Sequence, residues 1–126
     1  MAPQSKQEVY DEIMGYITQL KADVSVQIEV LKSHLATEKN NEHKAQMKAL
    51  ISALSSLEPL LLHAASIQME TMEKKLHAFI ETLMTQRKKI CTSNLDALIG
   101  TSLSKIFDDA KFNIINEIID MEEKVP

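Results

Sequence analysis

Two glycines and three prolines in 126 residues leave this chain few places to stop a helix, because Gly and Pro are the residues that most disfavour helix interiors. Apolar residues recur every three to four positions almost throughout, the period of one helix face rather than of a strand. The expectation is an all-α domain of three long amphipathic helices with coiled-coil-like packing. The middle helix is expected to kink or split near Pro59, which in the split case gives a four-helix bundle.

The first helix is announced by Ser5-Lys6-Gln7-Glu8, a capping-box spacing that places its start near Lys6. Tyr10, Ile13, Ile17, Leu20, Val24 and Leu31 then follow a heptad seam, with Gln27 and His34 at seam positions where apolar residues are expected. Gly15 either costs about 1 kcal/mol relative to Ala or permits a close helix approach. The pattern fades at Lys39-Asn40-Asn41, the one open turn of the first half.

Two seams follow, displaced by one residue. Met47, Leu50, Leu54, Leu57 and Leu61 form the first, and Leu62, Ala65, Met69, Met72, Leu76, Phe79, Leu83 and Ile90 the second. The phase change is assigned to Pro59, which lacks a backbone donor and clashes with the preceding turn of a helix. Ser55-Ser56-Leu57-Glu58 offers a second capping-box spacing there, yet no Gly or Asn supplies a tight reversal, so a kinked, broadly continuous helix is favoured over a hairpin. Thr92-Ser93-Asn94-Leu95-Asp96 marks the boundary before a third helix, whose apolar face includes Leu103, Ile106, Phe107, Ala110, Ile114 and Ile118.

A continuous middle helix over 42–91 would be about 75 Å long against about 50 Å for the first. Its unmatched length would expose an apolar stripe, and such stripes mark association surfaces. The seam residues expected to carry association are Ile17, Leu20, Val24, Leu31, Leu54, Leu61, Met69, Met72, Leu76, Phe79, Leu83, Ile106, Ile114 and Ile118.

The chain is read as one domain spanning 1–126, with a flexible start at 1–5, a frayed acidic end at 122–126, and an end compatible with the N-terminal piece of a longer protein. One cysteine, Cys91, cannot form an internal disulfide. With no signal-peptide pattern and no apolar run of about 20 residues, the expected setting is intracellular and cytoplasmic.

Chemistry-bearing patterns are sparse. None of His34, His43, His63 and His77 follows a Glu by three residues, so the Glu-x-x-His signature of di-iron bundles is missing. Glu73 and His77, one turn apart, read as a surface pair, and His63 as a partly buried, hydrogen-bonded residue. There is no phosphate-cradling glycine loop or nucleophile elbow. No cofactor, small-molecule substrate or enzymatic role is expected.

Charge adds one constraint. Residues 42–93 hold 5 acids and 7 bases, whereas residues 94–126 hold 7 acids and 3 bases, so antiparallel packing of the last helix on the middle one would pair opposite charges. Arg87, Lys88 and Lys89 form the one dense basic run, a candidate contact patch, but a net charge of -4 argues against nucleic acid. The expected function is a helical oligomerisation or scaffold module with a second copy or another helical protein as partner. A lipid-associating bundle is the first alternative and a nucleic-acid-binding assembly protein the second.

Overall fold

Ser5 starts the fold as its sequence suggests: its Oγ accepts the Glu8 backbone N–H at 3.2 Å and a 32-residue helix, α1 (Lys6–Thr37), follows. The computed structural model describes residues 5–90 and 103–124. Along that length α1 buries Val9, Ile13, Ile17, Leu20, Val24 and Leu31, one residue per turn or so, and this stripe organises the other helices. Gly15 is exposed, and a methyl group added there would meet nothing within 4 Å. Its propensity cost therefore has no close helix approach to offset it.

The first reversal is made by side chains. Asn40 Oδ1 accepts the backbone N–H groups of Glu42 and His43 at 2.9 and 3.1 Å, capping α2 (Asn41–Ser55). Glu38 Oε1 accepts the N–H groups of Lys39 and Asn40, each at 3.0 Å. The chain then returns along α1.

At Pro59 the chain kinks without reversing. Ser56 and Leu57 stay right-handed helical in φ and ψ, and Leu61 N–H still reaches the Leu57 carbonyl at 2.9 Å. Pro59 lies in the first turn of α3 (Glu58–Ala65), where a missing N–H removes no intrahelical bond. The second capping box does not form: Ser56 Oγ donates backwards to the Ala53 carbonyl at 2.6 Å, and Leu57 caps α3 with no side-chain bond.

The true corner lies later. Between Asn41–Ala65 and Met69–Ile90 the direction changes by 100°, so no continuous helix covers 42–91 and the expected 75 Å rod is not there. Ser66 closes α3 with its N–H and Oγ both donating to the His63 carbonyl, at 3.0 and 2.7 Å. Gln68 is extended, a 3-10 turn covers Met69–Thr71, and α4 (Met72–Ile90) follows. Tyr10 Oη, from α1, donates to the Ile67 carbonyl at 2.7 Å, and the Ile67 side chain is buried.

The change of seam belongs to this corner rather than to Pro59. From Met47 through Leu50, Leu54, Leu57 and Leu61 to Ala64 the first seam is buried, and the second takes over at Met72, Leu76, Phe79 and Leu83. The last helix, α5 (Leu103–Lys124), lies mainly on α1 and also on α4. Cys91 and the expected boundary at Thr92–Asp96 lie outside the described residues. Among the described residues every element is helical and no polar or charged side chain is fully buried.

Candidate interaction surface

The expected seam is where the four parts of the bundle meet. Ile17, Leu20, Val24, Leu31, Leu54, Leu61, Met72, Leu76, Phe79, Leu83, Ile114 and Ile118 are buried within the one chain, and Met69 and Ile106 are half-buried against the same core. These side chains have their partners inside the fold. Burying each contributes on the order of 1.5–3 kcal/mol, so offering them to another molecule would require opening the bundle.

Gln27 and His34 part company. His34 is exposed and takes no part in the seam. Gln27 is half-buried at an open groove of about 560 Å³ between α1 and α5, shared with Tyr16, Asp23, Lys105, Asp109 and Asn113. Its amide oxygen is buried there without a hydrogen bond, while the Asp23 carboxylate accepts from Gln19 at 2.8 Å. Burial, and then the nearby Glu117 and Glu12 carboxylates, push the Tyr16 phenol above its ordinary pKa.

The basic run ends α4, where cations suit the helix dipole. Arg87 is already engaged: Nη2 donates to Asp108 Oδ2 at 3.1 Å and Nε lies 2.8 Å from Oδ1, a hydrogen-bonded ion pair that ties α4 to α5. Lys88 and Lys89 are exposed. His77 lies 3.6 Å from Glu122 rather than pairing with Glu73, and His63 is exposed rather than partly buried. Arg87 to Asp108 and His77 to Glu122 run in opposite chain directions, so α5 lies antiparallel to α4 and the acidic end meets the basic middle as the charge distribution suggests.

Outside the core stand Val26 on α1, Leu62 on α3 and a stripe on α5. Phe112 is 66% exposed and Ile119 42%, two turns apart on one helix face, with half-buried Ile115 between them. The core side of α5 carries Leu103, Phe107, Ala110, Ile114 and Ile118, and at 100° per residue Phe112 falls on the far side from them. That displacement is readable from the sequence once the core stripe is fixed. Single exposed apolar residues are ordinary; their alignment along one helix is the distinguishing observation.

Among the described residues no group of three His, Cys, Asp or Glu side chains is placed to hold a metal ion. Nor is any single described helix long and apolar enough to cross a membrane. No protein-family model, curated protein or solved structure matches this chain.

Proposed function

We propose that this protein is a non-enzymatic helical interaction module that self-associates, with the outer face of α5 as its contact surface. The observation that carries the reading is the aligned exposure of Phe112 and Ile119 on a helix whose opposite face is already committed to the core. With the internal seams satisfied, these two join Val26 and Leu62 as the large apolar groups left exposed among the described residues, and they alone share one helix face, so association would remove an aligned pair from water. A second copy is the economical partner because a two-fold contact uses one surface twice.

Light scattering coupled to size exclusion, over a wide concentration range, tests this directly. The expected result is a multiple of the 14.2 kDa chain mass that falls towards one chain when Phe112→Ser and Ile119→Ser are combined, with helicity retained because both sites are exposed. A wild-type protein that stays at one chain mass throughout overturns the reading.

A lipid-associating role is the second reading. It is supported by the bent pair Asn41–Ala65 and Met69–Ile90, which together meet the length and composition of a broken membrane span. Sedimentation with anionic liposomes, accompanied by a change in helicity, would favour it. Nucleic-acid binding is not part of the proposal, since the chain's one arginine is clamped by Asp108.

A further inference from the structure

Leu62, Ala65, Met69, Met72, Leu76, Phe79 and Leu83 recur at alternating spacings of three and four, an unbroken heptad seam that runs straight through the corner. The folded chain uses half of it. Met72, Leu76, Phe79 and Leu83 are buried, whereas Leu62 is 50% exposed, Ala65 is exposed and Met69 is half-buried. Upstream of the corner α2 and α3 bury the neighbouring seam instead, so local pattern and observed fold disagree over these residues. Such a conflict is informative, because sequences that specify one structure agree across levels.

The corner itself is slight. Ser66, Ile67 and Gln68 include neither Gly nor Pro, and Gln68 is extended at φ -87°, ψ 151°. None of the three residue types forbids a helical backbone. Beside the local bonds of Ser66 and Thr71, two tertiary contacts tie the corner down: the buried Ile67 side chain and the Tyr10 hydrogen bond to its carbonyl.

We propose that two copies associate by exchanging their α4–α5 halves, the corner straightening so that α4–α5 of each copy docks on α1–α3 of the other. Leu62, Ala65 and Met69 of both copies then meet about the two-fold axis, with the small Ala65 allowing close approach. This rests on the reading above that the protein self-associates, and puts the corner in place of the outer face of α5 as the contact that makes the dimer. The contacts of α1 with α5, and of α2 and α3 with α4, are reproduced between chains, so the two forms differ only at the corner and at the new contact. The exchange supplies what the folded monomer lacks, a partner for Leu62 and Ala65, and covers the part of Met69 that the core leaves open.

Gln68→Pro is the decisive variant. A φ of -87° is near the value proline fixes, and no described hydrogen bond uses the Gln68 N–H, whereas in a straightened helix proline would remove a bond and clash with the turn before it. The expected result is a helical protein at one chain mass under conditions where the wild type is dimeric. Leu62→Glu, at a site exposed in the monomer, is expected to weaken dimerisation at least tenfold without lowering the monomer's melting temperature, and it decides alone should Gln68→Pro fail to fold.

Dimers undiminished by Leu62→Glu and by a folded Gln68→Pro overturn the exchange and leave self-association through α5 standing. Dimers lost in Gln68→Pro but kept in the Phe112→Ser, Ile119→Ser protein uphold the exchange and overturn the α5 face. A wild type that is monomeric at every concentration overturns both.

Discussion

The reversal at 38–40 and the 100° corner at 66–68 are built on opposite principles. The turn at 38–40 is local: Glu38 and Asn40 side chains accept four backbone N–H groups within five residues, so a peptide this short carries its own instructions. The corner at 66–68 has weaker local devices, Ser66 Oγ on the His63 carbonyl and Thr71 Oγ1 on the Gln68 carbonyl at 3.5 Å, and depends besides on Ile67 sinking into a core and on a tyrosine 57 residues away. A turn written in local chemistry stays put whatever its neighbours do. A corner held by distant contacts is as stable as those contacts and no more.

The sharpest way to break this contrast is Ile67→Ala. Truncating a buried isoleucine costs about 2–5 kcal/mol, and the loss should appear in denaturant melts as a lower midpoint. If the cost is a few tenths, the corner does not depend on packing. Next comes Tyr10→Phe, which leaves the Ile67 carbonyl without its donor and is expected to cost about 1–2 kcal/mol. Because the hydroxyl is the only group removed, an unchanged melting curve would show that the hydrogen bond adds nothing to the corner.

Asn40→Ala addresses the local turn and is expected to cost about 1 kcal/mol, the usual loss of an N-cap. A larger effect than that of Ile67→Ala would invert the comparison. The smallest effect belongs to Glu38. The backbone N–H of Asn40 holds its carboxyl below the usual carboxylate range against the opposing push of burial, with Lys39 N–H, His43 and Lys44 adding to the lowering. A lowered folded pKa means stabilisation present in full above the unfolded value of about 4.3 and lost as pH falls through the folded one. Wild type should therefore lose slightly more stability than Glu38→Gln between neutral pH and pH ~3, and parallel pH profiles would remove Glu38 from the turn.

The same division explains how much the sequence disclosed. Ser5, Asn40 and the heptad of α1 act through neighbours a few residues away, so helix start, first turn and core stripe are legible in order. The charge distribution also foretold the antiparallel α4–α5 pairing that Arg87 and Asp108 realise. Pro59 does mark a break, between α2 and α3, but the seam change assigned to it lies at the corner, because a proline in a helix's first turn costs little and a seam displacement of one residue does not say where the phase changes. The corner was invisible since Tyr10 and Ile67 meet only after folding. The stripe of Phe112 and Ile119 was half legible: both stand off the core face of α5, but that face had to be fixed first.

One consequence of the two tyrosines is practical. The chain has no tryptophan, so its near-ultraviolet signal comes chiefly from Tyr10, seated on the corner, and Tyr16, beside the α1–α5 groove. Both belong to α1 yet watch different joints of the bundle. Tyr16→Phe leaves Tyr10 as the single tyrosine and spares the corner's hydrogen bond, so the near-ultraviolet signal of that variant reports when the corner lets go.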